Sequence, residues 1–301
     1  MLEQQNWRLM HLHRIKGMTR PLLRKVLNED ASLSSIYQWT STQWKETFHI
    51  DKERAHFIAQ QLQRVDIKKK IVHERNNDHI LTIYDPDFPQ ALRTIPDPPL
   101  VLYLLGHKQL LSQMPNISVI GTRYPSNQAE TVMRYLLRPI LLKNWTIISG
   151  MALGIDGLAH QLAIEYQTST IAVLGCGFSH IYPKKHQALF DQLKQHHLII
   201  SEYPPETPPK KYHFPERNRI ISGLSFATVV VEAKRRSGSL ITVDQALEQG
   251  REVYAVPGSV LHETSEGCHQ LIQDGAKLVF QSQDILEDWE HHRSLWEKES
   301  K

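Results

Sequence analysis

Residues 146–156 read Thr-Ile-Ile-Ser-Gly-Met-Ala-Leu-Gly-Ile-Asp, a short β-branched run that ends in a glycine turn and leads into a segment with helical spacing. This succession of strand, turn and helix recurs through the second half of the chain. The predicted strands are residues 117–120, 146–149, 170–174, 198–201, 227–231, 252–256 and 277–280, and the predicted helices are residues 128–143, 157–166, 185–196, 239–249 and 267–273. Short apolar strands separated by helices are typical of a parallel sheet covered on both faces. The pattern predicts an α/β fold with a doubly wound, Rossmann-like and mostly parallel sheet.

The first part of the chain has a different pattern. Only Gly17 lies between Met1 and Leu105, whereas twelve of the fourteen glycines fall between Gly121 and Gly275. Apolar residues recur at helical spacing in the first part, and a proline-rich stretch follows. Proline fixes φ and removes a backbone donor, so this stretch is interpreted as an extended connector. We predict a small all-helical domain at 1–75, an extended connector packing on the core at 76–116, a Rossmann-like domain at 117–285 and a C-terminal tail at 286–301.

Composition limits the class of protein. The 301 residues include 41% hydrophobic and 22% charged residues, which suits about two soluble globular domains. The net charge of +3 is too small to indicate a nucleic-acid partner by itself, so any basic surface must be local. The two cysteines form no disulfide framework, and no apolar run is long enough to span a membrane. These features favour a cytoplasmic protein without a membrane span.

The carboxyl ends of the predicted strands are rich in groups that can bind anions. Ligands of open parallel sheets bind outside these ends, and glycines there let a backbone approach an anion closely. The cations at this edge are Arg123, Lys184, Lys185, Arg217, Arg219 and Arg235. Together these features predict a site for phosphate groups. Structural roles are the alternative, since Gly150 and Gly154 can serve close packing and Arg217 and Arg219 can pair with neighbouring glutamates.

The motifs of several other functions are missing. The turn after residue 120 reads Gly-Thr-Arg-Tyr-Pro, which is not the Gly-x-Gly-x-x-Gly fingerprint of dinucleotide binding. No P-loop, no Gly-x-Ser-x-Gly nucleophile elbow and no His-Glu-x-x-His metal helix occurs in the sequence. We therefore expect no cofactor, no metal and no catalytic residue.

Several motifs in one order carry a family resemblance. They include residues 84–89 (Tyr-Asp-Pro-Asp-Phe-Pro), Gly121-Thr-Arg123, residues 149–160 (Ser-Gly-Met-Ala-Leu-Gly-Ile-Asp-Gly-Leu-Ala-His), residues 214–219 (Phe-Pro-Glu-Arg-Asn-Arg) and residues 237–242 (Ser-Gly-Ser-Leu-Ile-Thr). Over about residues 80–280 the sequence resembles the DprA/Smf DNA-processing proteins of natural transformation. The fold of that family, an extended Rossmann domain often preceded by a helical domain similar to a sterile alpha motif, agrees with the division above.

The resemblance implies a recombination mediator rather than an enzyme. Members of this family bind and shield incoming single-stranded DNA, and they help to load the recombinase RecA onto it despite single-strand-binding protein. The resemblance implies that Arg123 and either Lys184 or Lys185 contact DNA. It also implies a homodimer whose interface includes His269, Ile272, Gln273 and Leu278. Some members carry a C-terminal winged helix, and too few residues follow Phe280 for one to be expected here.

Binding of a single strand without sequence preference needs cations along the phosphate backbone and flat side chains on which bases stack. The aromatic candidates are Tyr124, Tyr182, Tyr212 and Phe214. The residues predicted to bind DNA are Gly121, Thr122, Arg123, Ser149, Gly150, Gly154, Tyr182, Lys184, Lys185, Phe214, Arg217, Asn218, Arg219, Ser237, Gly238 and Ser239.

An enzyme is the alternative. Rossmann-like nucleotide phosphoribohydrolases use a Pro-Gly-Gly-x-Gly-Thr phosphate loop and a nearby glutamate. Residues 256–260 read Val-Pro-Gly-Ser-Val, which lacks the later glycine and threonine, and Glu232 follows a predicted strand without that loop beside it. The sequence therefore favours the mediator.

Overall fold

A computed structural model describes residues 2–77 and 79–299. The chain divides into two compact units. The first unit comprises Met1–Phe88 with Leu100–Tyr103, and the second comprises Pro89–Pro99 with Leu104–Lys301.

The first unit is mainly helical. Its helices are α1 (Leu2–Arg14), α2 (Arg20–Glu29), α3 (Ser41–Phe48), α4 (Lys52–Gln61) and α5 (Val65–Asn76), with a 3-10 turn at Ser35–Gln38. Leu9, Leu12 and Val26, which share helical spacing in the sequence, are fully buried. Strand β1 (Ile80–Thr82) pairs antiparallel with the first part of β2 (Val101–Gly106), with Ile80 opposite Tyr103. The connector region thus contributes two strands.

The second unit contains a parallel sheet. Its strands are β3 (Asn116–Ile120), β4 (Thr146–Ser149), β5 (Thr170–Leu174), β6 (Leu198–Ser201), β7 (Ala227–Val230), β8 (Glu252–Ala255) and β9 (Lys277–Leu278). They lie in the order β6-β5-β4-β3-β7-β8-β9, and each pairs parallel with its neighbours. The chain runs outward from β3 to β6 and returns to β7 on the other side of β3. The predicted doubly wound, mostly parallel sheet is confirmed.

Helices cover both faces of this sheet. They are α6 (Gln90–Arg93), α7 (Ala129–Leu141), α8 (Ile155–Glu165), α9 (Gln187–His196), α10 (His213–Leu224), α11 (Ser239–Glu248), α12 (Glu263–Gln273) and α13 (Ser282–Glu299). Both α8 and α10 pack on β3, β4 and β5. Two helices on the same three strands must lie on opposite faces, so helices flank the carboxyl ends of these strands on both sides of the sheet.

Three helices of the second unit were not predicted, and the short α6 is one of them, because it lies within the stretch expected to be an extended connector. Helix α10 contains Pro215 near its start and Gly223 near its end, and both residues indicate a break when the sequence is read locally. Helix α13 includes most of the expected tail. Its Trp289 and Trp296 are buried against Phe226, with ring centroids 5.2 and 6.1 Å away. The tail is therefore part of the packed core.

No helix within residues 2–77 and 79–299 is both long enough and apolar enough to cross a lipid bilayer.

Candidate nucleic-acid interface

The turn after β3 lies where the strand order reverses. The backbone N–H of Thr122 donates to Glu232 O at the end of β7 (2.7 Å), and the N–H of Ile155 donates to Thr122 O (3.2 Å). A methyl group on Gly121 would lie 2.6 Å from the Ile155 side chain and 2.8 Å from Glu232 O. Glycine is therefore required for close approach at this point. The next side chain, Arg123, is exposed.

Arg123 lies beside two aromatic rings. Its guanidinium carbon is 6.0 Å from the centroid of the Phe214 ring, which in turn lies 5.3 Å from the ring of Tyr182. Tyr182 is 43% exposed, so this aromatic pair has an open side. The Arg123–Phe214–Tyr182 row thus combines one cation with two rings, although its members come from three different loops or helices.

The start of α10 is fixed against the end of β5, and this places Phe214. The ring N–H of His213 donates from Nδ1 to Gly175 O (3.2 Å), and its ring stacks on Tyr203 with centroids 4.0 Å apart. A methyl group on Gly175 would lie 2.9 Å from the Phe214 ring. Burial lowers the pKa of His213, so its imidazole is neutral near pH 7.

Two exposed lysines follow Tyr182. Lys184 and Lys185 lie on a single 3-10 turn, Lys184–His186, after the cis bond between Tyr182 and Pro183. His186 anchors this turn, because its Nδ1–H donates to Met151 O in the turn after β4 (3.0 Å). Within the described residues, neither lysine has a carboxylate in ion-pair contact. Both ammonium groups are available to an anionic ligand.

Arg217 is buried, in contrast to Arg123. Its guanidinium donates to Gly150 O (2.6 Å) and to Val173 O, and so links the ends of β4 and β5. The backbone N–H of Gly150 donates to the carboxylate of Asp156 (3.1 Å). A side chain on Gly150 would collide with the guanidinium. The backbone of Gly150, in the turn after β4, is therefore held by hydrogen bonds at both its N–H and its C=O.

Arg217 and Asp156 act on each other electrostatically. Burial raises the pKa of Asp156, while the positive charge of Arg217 opposes that rise. Burial also lowers the pKa of Arg217, and the carboxylate of Asp156 opposes that shift. Each charge therefore offsets part of the cost of burying the other.

Arg219 is also an internal residue. Its guanidinium bonds both oxygens of Glu202 (2.7 and 2.9 Å) and one oxygen of Asp97 (3.0 Å). Asn218, between the two arginines, is half-buried and accepts from Arg217 Nε (3.1 Å). The Arg217-Asn-Arg219 segment therefore braces the strand ends, but its recorded ion pairs are with Glu202 and Asp97 and not with the neighbouring Glu216 or Glu232 considered from the sequence.

The predicted glycine turns differ in their surroundings. Gly154 has φ +77°, and a side chain there would collide with Thr122 O and the backbone of Arg123. Gly238 has no atom within 4 Å of the position that a methyl group would take. It lies between Ser237 and Ser239, whose hydroxyls are 2.6 Å apart at the start of α11. Ser149 is fully buried, and its hydroxyl donates to Val119 O (2.7 Å).

Two further features of this edge were not predicted, namely the two lysines before the aromatic candidate Tyr212 and a contact made by Glu232. Lys210 and Lys211 are exposed just before α10, and Lys210 Nζ lies 5.7 Å from the ring of Tyr212, which is 56% exposed. The Lys-Lys-Tyr run was visible in the sequence as a basic and aromatic signal. Glu232, by contrast, bonds Ser126 in the loop after β3. Ser126 and Glu232 are 106 residues apart, and no local sequence pattern indicates a contact over that separation.

The residues predicted at a dimer interface lie near the β9 edge of the sheet. Leu278 is 45% exposed and Phe280 is 59% exposed. Ile272 is half-buried and Gln273 is exposed, while His269 Nε2 lies 3.1 Å from Gly258 O. Leu278 and Phe280 therefore present apolar surface to solvent.

The described parts of the chain offer little for metal or thiol chemistry. No group of three His, Cys, Asp or Glu side chains among residues 2–77 and 79–299 could hold a metal ion. Burial raises the pKa of Cys176 to about 11 and that of Cys268 to about 12, so both thiols are protonated near pH 7.

Comparison with known families identifies the chain. The family described as DNA recombination-mediator protein A matches residues 79–290. The chain belongs to the DprA family. The DNA processing protein DprA of Bacillus subtilis is 48% identical over 208 residues, which cover 69% of this chain and 70% of that protein. The DprA of Streptococcus pneumoniae is 45% identical over 209 residues, covering 69% of this chain and 73% of that protein. The predicted DprA/Smf resemblance is confirmed.

Solved DprA structures agree with the fold. The X-ray structure of DprA from S. pneumoniae has a TM-score of 0.80 at 37% identity and covers 93% of this chain and 97% of its own. A DprA from Helicobacter pylori, described by its single-stranded DNA binding mode, has a TM-score of 0.62 at 29% identity and covers 69% of this chain and 94% of its own.

Proposed function

We propose that this chain binds single-stranded DNA along the carboxyl edge of its parallel sheet. Arg123, Lys184 and Lys185 contact phosphates, and Tyr182 and Phe214 stack on bases. The observation that carries this proposal is the Arg123–Phe214–Tyr182 row, with the two exposed lysines following Tyr182 along the chain. The similarity to the H. pylori protein, which binds single-stranded DNA, supports the same assignment.

A single strand suits this edge better than a duplex. Stacking on Tyr182 or Phe214 requires an unpaired base with an accessible face, and every base offers such a face. Phosphate contacts carry no sequence information, so we expect little base preference. Each phosphate that is neutralised releases counterions, and affinity should therefore fall steeply with salt.

Arg217 and Arg219 have a different role in this proposal. Both guanidiniums are committed to groups of the protein, so they support the edge without touching DNA. Gly121, Gly150 and Gly154 likewise allow close packing. The turn Ser237-Gly-Ser239 remains a proposed phosphate contact, because Gly238 is open to solvent.

The test is a gel shift at low salt with single-stranded and duplex DNA of the same sequence. Wild type should retain the single strand preferentially, and Arg123→Ala should weaken retention about tenfold, the size expected for loss of a charged hydrogen-bonding group. Lys143→Ala is the control, since it removes one exposed cation that precedes β4 at the opposite edge of the sheet. Equal binding by wild type and Arg123→Ala would exclude Arg123 from the site.

We further propose that the bound strand is passed to RecA during natural transformation. Support comes from membership of the recombination-mediator family. In a strand-exchange assay with DNA covered by single-strand-binding protein, the chain should shorten the lag before RecA acts. An unchanged lag at saturating protein would contradict RecA loading while leaving DNA binding intact.

A homodimer through the β9 edge is the third part of the proposal. The exposed Leu278 and Phe280 and the half-buried Ile272 supply apolar surface, with His269 and Gln273 as polar neighbours. Leu278→Asp should convert a dimer into a monomer, as measured by light scattering. A wild-type protein that is monomeric at high concentration would contradict the proposed interface.

A further inference from the structure

Glu232 reaches from the end of β7 to the loop that carries Arg123. Its backbone oxygen accepts from the N–H of Thr122 (2.7 Å). Its carboxylate accepts from the N–H of Ser126 (2.9 Å) and from the Ser126 hydroxyl (2.5 Å). These bonds lie on both sides of Arg123, one before it and two after it. Glu232 therefore clamps the loop at both ends.

Hydrogen bonds to Glu232 hold the backbone on either side of Arg123, and the Arg123 side chain takes no part in them. Within the described parts of the chain, no carboxylate is in ion-pair contact with Arg123, so no such contact orients the guanidinium. A loop held by charge-assisted hydrogen bonds loses less conformational entropy when it binds a ligand. The short bond from the Ser126 hydroxyl is the kind that an ionised carboxylate makes.

We propose that Glu232 is a positioning residue that raises affinity for single-stranded DNA, although its charge has the same sign as the ligand. This inference rests on the proposed function. The carboxylate acts through Arg123 by holding residues 121–126 in the arrangement that presents the guanidinium beside Phe214. Both oxygens of the carboxylate accept from Ser126, so the loop is held on the side that follows Arg123.

Simple electrostatics predicts the opposite sign. Removing one negative charge from a surface that binds a polyanion should strengthen binding, most clearly at low salt where screening is weak. Positioning predicts weaker binding for Glu232→Ala. The sign of the change therefore separates the two accounts.

The experiment measures the affinity of the full chain for a fluorescent oligothymidine at several salt concentrations. Glu232→Ala should bind about tenfold more weakly, as expected when charge-assisted hydrogen bonds are removed. Glu232→Gln keeps an acceptor for Ser126 and should recover most of the affinity. Glu263→Ala is the matched control, because Glu263 is an exposed acid at the start of α12 that bonds Lys234 and not the Arg123 loop. Glu263→Ala should bind as well as wild type or better.

Two further readouts connect the effect to Arg123. The double variant Arg123→Ala with Glu232→Ala should bind no more weakly than Arg123→Ala alone, because the clamp has nothing left to position. The slope of log affinity against log salt should also fall in Glu232→Ala, by about 0.7 when one phosphate of a single strand is no longer neutralised. If Glu232→Ala unfolds, Ser126→Ala removes one donor to the same carboxylate and should weaken binding in the same direction.

The outcomes distinguish this inference from the proposed function. Wild type that fails to retain oligothymidine contradicts DNA binding itself. Wild type that binds, with Glu232→Ala equal to it or tighter, overturns the positioning role and leaves DNA binding in place. Additive losses in the double variant would also overturn it, since they show that Glu232 does not act through Arg123.

Discussion

The turn after β4 and the turn before α11 look alike in sequence but differ in structure. Ser149-Gly150 and Ser237-Gly238 each place a serine and a glycine at the end of a strand or the start of a helix. Gly150 lies against the buried guanidinium of Arg217, and its N–H is taken by Asp156. Gly238 meets no neighbour within 4 Å. One turn is packed and the other is open.

The difference shows what a glycine at a strand end can mean. A backbone amide can bind a phosphate only when no internal group already uses it. At Gly150 the N–H and the C=O both have partners inside the protein. The packed turn therefore fixes the geometry of the edge, while cations on the surrounding loops remain able to meet the ligand.

The largest expected effect is on stability, from removal of the buried guanidinium. Arg217→Met removes a positive charge that favours ionised Asp156 and leaves the carbonyls of Gly150 and Val173 without this donor. The two buried carbonyls left without this donor cost about 1–3 kcal/mol each. Urea unfolding followed by circular dichroism should show a loss of that size. Adding Asp156→Asn should restore part of the loss, and a fully stable Arg217→Met protein would show that the packed turn does not depend on this guanidinium.

The two glycines provide a direct comparison of the turns. Gly150→Ala places a methyl group against the guanidinium in a closed space, and overpacking of this kind costs about 1–3 kcal/mol. Gly238→Ala extends into solvent with φ near −63°, where alanine is unstrained, so its unfolding free energy should change by no more than about 0.5 kcal/mol. Equal effects on the two unfolding midpoints would contradict the distinction between packed and open turns.

The pH dependence of the unfolding free energy of Arg217→Met is a further test of the packed turn. Burial raises the pKa of Asp156 above its ordinary value of 3.8, and Arg217 opposes that rise. Without Arg217, the pKa of Asp156 in the folded variant should rise further. A carboxyl whose pKa is raised by folding contributes stability at low pH, and this contribution is lost as pH increases through the raised pKa. The deficit of Arg217→Met relative to wild type should therefore shrink as pH falls toward 4, by up to about 1.4 kcal/mol per pH unit. A constant deficit would mean that Asp156 is not the group responsible.

The seven strands of the second unit could be predicted from sequence to within two residues, because local signals determine them, whereas β1 and β2 lie in the stretch predicted as an extended connector. Residues 146–149, 170–174 and 198–201 are short apolar runs bounded by polar or turn residues, and each is a strand with the predicted bounds. Helix α10 could not be predicted in the same way. Pro215 is acceptable in a first helical turn, and the helix is held by its long-range bonds from Arg217 and Arg219.

The candidate site was partly visible in the sequence. The exposed residues Arg123, Lys184 and Lys185 lie in connections at the predicted edge. This position follows from their place in the sequence, because each comes after a strand of a parallel sheet. The sequence could not show that Arg217 and Arg219 point inward, because their partners lie far away along the chain. Gly150, for example, is 67 residues from Arg217. The Glu232 clamp on Ser126 was hidden for the same reason, since it spans 106 residues.

The smallest expected effect is on DNA affinity, from removal of the two arginines beside the open turn before α11. Arg235 and Arg236 are exposed just before Ser237, on the side of β3 opposite to Tyr182 in the strand order. If DNA extends along the edge to this turn, replacing both arginines with alanine should lower the slope of log affinity against log salt by about 0.7 for each phosphate that is no longer neutralised. Removal of these outlying charges should change affinity less than Arg123→Ala does, because Arg123 lies beside the Phe214 ring at the centre of the proposed site. Titration with oligothymidines of increasing length supplies the control, since short strands that end near Arg123 should not respond to the change. A response at every length would instead indicate a general field effect, and the open turn would then be no more a DNA-binding site than the packed one.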